Sequence, residues 1–205
     1  VVETKQGKAV GAFYGAPGKD LLATIGSGPL RGGRVVGSKA YIVSGNTLYS
    51  VTTAYAATSL GTLSTSSGPV SMINNLTQLL VSDGVSGYLV VLATGAFSIV
   101  ASFPNGGNLL AYQDGFGIAN VAGPEQWNQS NLNDLSTWNA LNFSNADAKP
   151  DNIVSMLDVN REVWLFGGGA SGGYGSTEVW VNAGLAGFAF QRLSGVFIEN
   201  GCVAP

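Results

Sequence analysis

Side chains that carry out acid–base or nucleophilic chemistry are scarce in this sequence. It contains no histidine and one cysteine, Cys202, which excludes histidine-based catalysis and histidine metal ligation in this chain. Carboxylates remain, and Asp147, Asp151 and Asp158 lie close together in the sequence. Facing carboxylates can hydrolyse a glycosidic bond or bind calcium, but aspartates in loops more commonly cap turns. We expect turn capping for these three residues and for Asp83, and we predict no catalytic residue, no metal site and no cofactor.

Aromatic side chains could instead bind a sugar or another protein. Of the four tryptophans, Trp164 and Trp180 lie inside alternating apolar runs and are expected to pack between sheets. Trp127 and Trp138 lie in a more polar stretch, and Tyr174 lies in a glycine-rich segment. Large aromatic side chains anchor many protein interfaces. We therefore predict Trp127, Trp138 and Tyr174 as contacts between subunits.

The elements that position these side chains are short β-strands. Four pairs of runs rich in β-branched and aromatic residues flank turns rich in glycine, asparagine and aspartate, which predicts four β-hairpins. The predicted pairs are residues 40–44 with 47–51, 78–82 with 87–92, 108–113 with 116–121, and 162–166 with 177–182. No segment has a sustained helical period, so the predicted fold class is all-β. The most apolar stretch, residues 88–101, is too short to span a membrane as a helix.

The hairpins form a loose internal repeat. Tyr41, Leu80, Tyr112 and Trp164 occupy similar places in them and are separated by 39, 32 and 52 residues. Repeats of about 40 residues with about four short strands each are typical of β-propeller blades. We predict one propeller-like region over residues 1–205 that is part of a longer chain, with a loop-rich insertion at residues 124–150. An incomplete propeller and a β-sandwich remain alternatives.

Charge is low and unevenly distributed along the chain. Charged residues make up 10% of the sequence, the net charge is −3, and no lysine or arginine occurs between Lys39 and Lys149. Tight binding of nucleic acid needs cations that neutralise phosphates, so we predict no nucleic-acid groove. Neither G-x-G-x-x-G nor G-x-x-x-x-G-K-[ST] occurs, so we predict no phosphate-binding loop. A surface this poor in charge favours contact with other proteins.

Several short motifs follow one another in an order that is similar to a known family. They are W-x-A-L-x-F at 138–143, A-x-x-x-P-D at 146–151, E-x-W-L-F-G at 162–167, S-T-E-V-W at 176–180, F-Q-R at 190–192 and G-C at 201–202. The first half adds G-P-L-R-G at 28–32, Y-I-V-S-G-N-T-L-Y at 41–49 and V-S-M at 70–72. This order resembles the packaged-DNA stabilisation, or tail-hub, proteins of short-tailed bacteriophages.

The resemblance implies a structural protein of the virion tail, assembled in the cytoplasm of the host bacterium. Such proteins lie below the portal and its adaptor, as a ring that is typically a homohexamer. They close the channel after DNA packaging and connect to the tail needle or tailspikes, while DNA passes through the channel without specific binding. The family has no catalytic residues or cofactor to carry over, which favours a protein that is not an enzyme. A lectin-like, carbohydrate-binding β-propeller and a carboxylate-dependent glycosidase remain alternatives.

Overall fold

A computed structural model describes residues 2–3, 11–12, 18, 20–123, 125–149, 151–169 and 175–202 of the chain. Every regular element in these ranges is a β-strand, which confirms the all-β prediction. Within the same ranges, no helix is long and apolar enough to cross a membrane. Strands β1 (Val2–Glu3) and β2 (Gly11–Ala12) pair with each other, and the remaining strands form four sheets.

Each of the four sheets contains four antiparallel strands in sequence order, and we call them blades 1 to 4. Blade 1 contains β3 (Leu30–Val36), β4 (Lys39–Ser44), β5 (Thr47–Val51) and β6 (Ala57–Thr62). Blade 2 contains β7 (Ser71–Asn74), β8 (Gln78–Ser82), β9 (Gly87–Val91) and β10 (Phe97–Ile99). Blade 3 contains β11 (Leu110–Gln113), β12 (Phe116–Asn120), β13 (Gln126–Asn131) and β14 (Asp134–Asn145). Blade 4 contains β15 (Ile153–Val159), β16 (Glu162–Gly167), β17 (Thr177–Asn182) and β18 (Phe190–Ile198).

Turn residues with a left-handed backbone join the strands tightly. The turn between β4 and β5 is Gly45-Asn46, and Gly45 has a φ of 59°. The turn between β11 and β12 is Asp114-Gly115, with φ values of 49° and 90°. Such values match the right-handed twist of the flanking strands, and glycine and aspartate adopt them at little cost. Short turns of this kind let each blade form from one contiguous piece of chain.

The blades pack face to face, with their first strands next to one another. Contacts join β3 to β7, β7 to β11 and β11 to β15. Three hydrophobic clusters fill the spaces between successive blades, and their fully buried members include Val43, Leu80 and Ile118. Among the described residues, no such cluster joins blade 4 to blade 1. This radial arrangement of four-stranded sheets is that of β-propeller blades, and it rules out the sandwich alternative.

The third predicted hairpin has a different place in its blade from the other three. The hairpins of blades 1, 2 and 4 form second and third strands, whereas β11 and β12 are the first and second strands of blade 3. Tyr112 therefore lies in a first strand and is not equivalent to Tyr41, Leu80 and Trp164. The equivalent residue of blade 3 is Ile118, which gives separations of 39, 38 and 46 residues along the chain.

Residues 124–150 do not form the loop-rich insertion that their polar sequence suggests. They contain β13 and β14, which complete blade 3. Polar side chains of β13 are buried with partners: Gln129 accepts the Ala189 N–H at 2.7 Å and donates to Gly187 O at 3.0 Å. Hydrogen bonds of this kind offset the cost of burying an amide. A strand with such partners does not need an alternating apolar pattern, so the pattern could not reveal it.

Replacement of Trp127 by alanine tests the position of β13. The ring is fully buried and lies edge-to-face on Trp180 and Phe188, with centroids 5.2 and 4.8 Å away. We expect Trp127→Ala to lower the free energy of unfolding by about 3–5 kcal/mol, because it opens a cavity between blades. Urea denaturation measures the loss, and Leu132→Ala, at an exposed turn of the same blade, is the control. A loss below about 1 kcal/mol for Trp127→Ala would contradict a buried strand.

Candidate subunit interface

Two of the three residues predicted as subunit contacts are buried. Trp127 is fully buried, and Trp138 is 4% exposed. The Trp138 ring lies edge-to-face on Phe103, and its indole N–H donates to Leu135 O at 3.0 Å. Tyr174 lies outside the described residues. Burial assigns both tryptophans to packing between blades, so their contact with a second subunit has no support from their position and stays a prediction.

The aspartates that could form a carboxylate site have structural surroundings. The Asp151 carboxylate accepts the Ser176 N–H at 2.7 Å and the Ser176 hydroxyl at 3.1 Å. Asp147 lies 4.0 Å from the Arg192 guanidinium at the surface, and Asp158 is exposed on β15. No group of three His, Cys, Asp or Glu side chains within the described ranges could hold a metal ion. These surroundings favour capping and ion pairing over hydrolysis.

A buried arginine fixes the linker between blades 1 and 2, residues 63–70. Arg31, on β3, donates hydrogen bonds of 2.7–3.0 Å to the carbonyl oxygens of Gly45, Thr65, Ser67 and Gly68. It also donates to the Thr65 hydroxyl at 2.7 Å. The planar guanidinium carries five N–H donors, so one side chain can satisfy several carbonyl groups at once. Arg31 therefore holds the linker against the turn between β4 and β5.

Asp83 holds the same linker from blade 2. Its Oδ1 accepts the N–H groups of Val85 and Ser86 within the β8–β9 turn, at 3.0 and 2.9 Å. Its Oδ2 accepts the Thr65 N–H and hydroxyl at 3.0 Å, and the Tyr88 hydroxyl at 3.2 Å. Burial alone would raise the pKa of the Asp83 carboxyl, but the hydrogen bonds from the turn and the linker lower it below its usual value. The expected turn capping by Asp83 is confirmed.

Asp83→Asn is expected to destabilise the protein by about 1–3 kcal/mol at pH 7, because the amide leaves buried donors without an acceptor. Since folding lowers the pKa of this carboxyl, its contribution to stability is present above about pH 4 and is lost as the pH falls through the folded-state value. Urea denaturation at pH 7 and at lower pH measures the free energy of unfolding. The difference in this free energy between wild-type protein and Asp83→Asn should shrink as the pH falls.

The control for this substitution is Asp114→Asn, in the turn between β11 and β12. Asp114 lies 3.3 Å from Arg161, whose side chain is exposed. Exposed ion pairs contribute little, so we expect a change below about 1 kcal/mol. A difference between wild-type protein and Asp83→Asn that grows on acidification would contradict an ionised, structural Asp83.

The outer strands of blades 3 and 4 each contain a large bulge of the same size. On β14 the pairing with β13 jumps from Trp138 to Phe143, while β13 advances by two residues. On β18 the pairing with β17 jumps from Arg192 to Phe197, again while β17 advances by two residues. A bulge at the edge of a sheet interrupts the ladder and hinders pairing with a further strand. The two blades therefore present side chains, rather than free backbone, along this part of their outer edges.

Apolar side chains project from these bulges, and we call Leu141, Phe143 and Phe197 the outer rim. Leu141 is 80% exposed, and Phe143 and Phe197 are 41% and 43% exposed. A cavity of about 280 Å³ lies beside each bulge. Asn128 is among the residues lining the blade 3 cavity, and Arg192 is among those lining the blade 4 cavity. Exposed aromatic side chains beside cavities are typical of protein interfaces.

A buried glutamate on the neighbouring strand β17 anchors the blade 4 bulge. The Glu178 side chain is 2% exposed and lies 3.8 Å from the Arg192 guanidinium. Its carboxylate accepts the Ala148 N–H at 2.6 Å and the Trp180 indole N–H at 3.0 Å. Burial raises the pKa of Glu178, and the two hydrogen bonds and Arg192 offset part of that effect. Because both carboxylate oxygens have partners, Glu178 positions the bulge and the neighbouring linker.

The sequence analysis missed the outer rim because it looked for interface residues among the tryptophans and the glycine-rich segment. A usable signal does exist in the sequence: Trp138 and Phe143 have the same separation as Arg192 and Phe197. In a regular strand an odd separation places two side chains on opposite faces. The same odd separation in two successive outer strands is therefore a signal for a shared bulge.

These features define a protein of the β-propeller class, whose buried polar groups hold linkers and whose outer strands carry exposed apolar groups. The family model for phage stabilisation, described as Bacteriophage P22 Gp10, beta-propeller, matches residues 1–205. The chain belongs to this family of phage tail and DNA stabilisation proteins, as the motif order in its sequence suggested. No curated protein sequence matches this chain.

Solved structures with a similar fold include the N-terminal domain of Nup159, Hsv2 from Kluyveromyces lactis, and YjhT. Their identities to this chain are 10%, 9% and 10%, and the TM-scores are 0.52, 0.52 and 0.53. The matches cover 82%, 76% and 80% of this chain, and 48%, 47% and 64% of the other chains. At these identities the likeness shows the fold alone. The chain spans about half the length of the Nup159 domain and of Hsv2.

Proposed function

We propose that the protein is a subunit of a phage tail hub that closes the channel below the portal and its adaptor after DNA packaging. In this proposal it also connects to the tail needle or tailspikes, and it assembles in the host cytoplasm before joining the virion. The family match over the whole of residues 1–205 is the observation that carries the proposal. The low proportion of charged residues, 10%, supports a protein whose surface is largely covered by partners.

Association of identical subunits into a ring, expected to be a homohexamer, is part of the proposal. The outer rim is the surface best suited to this contact, because Leu141, Phe143 and Phe197 are large, apolar and exposed. Phe197 lines the blade 4 cavity, and Asn139 and Ala140 of the β14 bulge line the blade 3 cavity; each cavity could accept a side chain from a neighbouring subunit. The bulges disfavour open-ended pairing of strand edges, which a closed ring must avoid.

The scarcity of free cations supports passage of DNA without specific binding. Strands β7, β11 and β15 contain no lysine or arginine. In β3, Arg31 is buried in the linker network, and Arg34 donates to Met72 O and to the Asn74 side chain. Because phosphates are held mainly by free cations, a channel wall formed by residues 40–148, which contain no lysine or arginine, would hold DNA weakly.

Neither alternative gains support from the described side chains. Sugar binding by aromatic stacking commonly uses exposed tryptophans, whereas three of the four tryptophans, Trp127, Trp138 and Trp180, are buried. A glycosidase needs two carboxyl groups free to face a substrate. Asp151 is buried with Ser176, and Glu178 is buried with the Trp180 indole.

Inactivation of the gene in its phage tests the role in DNA retention. We expect heads that package DNA but then lose it, because no tail hub closes the channel below the portal. Electron microscopy of particles and the fraction of nuclease-sensitive DNA measure this, and the wild-type protein supplied in trans should restore filled, infectious particles. Infectious particles that form with stable DNA in the absence of the protein would refute the proposal.

The double variant Phe143→Ser, Phe197→Ser tests the outer rim as the contact between subunits. Because the rings are 41% and 43% exposed, burying the rest of each is worth about 0.6–1.2 kcal/mol, so we expect association to weaken about 10-fold or more. Light scattering of the intact protein over a dilution series measures the mass of the assembly. Leu132→Ser, at an exposed turn away from the outer rim, is the matched control and should assemble normally. Normal assembly of the double variant would assign the contact to another surface.

A further inference from the structure

The chain that leads into blade 1 is fastened just before β3. The Gly45 N–H donates to Pro29 O at 2.9 Å, and the Ser44 hydroxyl donates to Gly28 O at 3.0 Å. These contacts hold the chain against the turn between β4 and β5. Residues 20–26, which come before them, contain no strand. The chain therefore arrives at blade 1 from the end of the blade where this turn lies.

Residues 20–22, Asp-Leu-Leu, are exposed, and we call them the arm. Leu21 is 84% exposed, Leu22 is 64% exposed, and Asp20 is exposed as well. Two neighbouring leucines that face water gain free energy when another surface covers them. The carboxylate beside them requires that this surface also offer a cation. The arm is therefore matched to an apolar cavity that contains a lysine or an arginine.

The blade 4 cavity has this composition. Its lining includes Arg192, Val196 and Phe197. The Arg192 guanidinium lies 3.8 Å from the Glu178 carboxylate and 4.0 Å from that of Asp147, which is exposed to water. These distances exceed those of hydrogen bonds, so the two carboxylates do not occupy the N–H groups of Arg192. The planar guanidinium can therefore donate two parallel hydrogen bonds to a further carboxylate.

The arm and the blade 4 cavity lie at the same end of the blades, in the first and the last of the four. In an antiparallel blade, the turn between the second and third strands lies at the same end as the linker to the next blade. The arm leads to this turn in blade 1, and Ala148, in the linker between blades 3 and 4, lines the cavity. A neighbouring copy in the same orientation can therefore bring its arm to this cavity.

We propose that the arm of one copy binds in the blade 4 cavity of the next copy. The Asp20 carboxylate accepts hydrogen bonds from Arg192, and the leucines of the arm pack against Phe197. The blade 3 cavity is less suited, because none of the described residues that line it is charged. A contact between two different surfaces of the same chain repeats from copy to copy and can close a ring. The inference rests on the proposed ring and names the surface that meets the outer rim.

The double variant Leu21→Ser, Leu22→Ser tests the arm in solution. Light scattering of the intact protein over a dilution series should show association about 10-fold weaker or more, because the arm no longer gains free energy from burial. The matched control is Leu76→Ser, Leu132→Ser, since these leucines are 98% and 58% exposed at turns on the other end of the blades. This control should assemble like wild-type protein, and urea denaturation should show both variants folded.

Cross-linking identifies the surface that receives the arm. In a Cys202→Ser background, Leu21→Cys and Val196→Cys are made as separate proteins with different tags, mixed, and treated with a mild oxidant. Each copy then has one thiol, so a band with both tags joins two copies. We expect Leu21→Cys to form this band with Val196→Cys at least about tenfold faster than with Leu132→Cys, the control, because docking raises the effective concentration of the two thiols.

Either of two results would overturn the inference: normal association of the Leu21→Ser, Leu22→Ser variant, or equal cross-linking rates for Val196→Cys and Leu132→Cys. If the arm variant assembles normally while Phe143→Ser, Phe197→Ser does not, the inference fails and the proposed contact at the outer rim stands. A wild-type protein that remains a single chain at every concentration would overturn both.

Discussion

Face-to-face packing of sheets is the constraint on which the rest of the structure depends. A thin sheet is stable only when its apolar faces are covered, and an inner blade has a neighbour on both sides. In β8, Leu79 and Val81 face blade 1, whereas Leu80 faces blade 3, and all three are fully buried. Strand alternation supplies these two apolar sets. Charged groups have little room between such faces, and the inner-strand residues Arg31 and Glu178 are buried with hydrogen-bond partners, which agrees with the low proportion of charge in the sequence.

Local sequence patterns predicted the strands whose stability is decided locally. Hairpins such as β4–β5 combine apolar runs with a turn that glycine favours, so alternation and turn chemistry agree. The same pattern does not say which two strands of a blade a hairpin forms, and this is why Tyr112 was placed one strand away from its true position. Strands β13 and β14 were not predicted, because β13 lacks an alternating apolar pattern. The burial of its Gln129 depends instead on partners at Gly187 and Ala189 that are distant in sequence.

The candidate interface was harder to predict than the fold, for a related reason. Whether a tryptophan is exposed depends on what the neighbouring blade places against it, and Trp127 meets Trp180 and Phe188 across the space between blades. The outer rim depends on strand register, because the bulges shift the pairing so that Phe143 lies opposite Asn128 and Phe197 lies opposite Glu178. Register is set by pairing between strands, so residue type alone carries little information about it.

Packing of apolar faces determines which blades touch but constrains the tilt of one blade relative to the next less strongly. The buried polar groups lie in the linkers, where they limit this tilt. Arg31 and Asp83 meet at Thr65, in the linker between blades 1 and 2, and hold it from both sides. Hydrogen bonds are directional, so they select one linker geometry where hydrophobic contact would accept several. With the faces occupied by neighbouring blades and the linkers held in place, the outer strands are left to make contacts with partners. Their bulges allow contact through specific side chains while hindering the indiscriminate pairing of strand edges, which suits a stiff subunit that must assemble in one way.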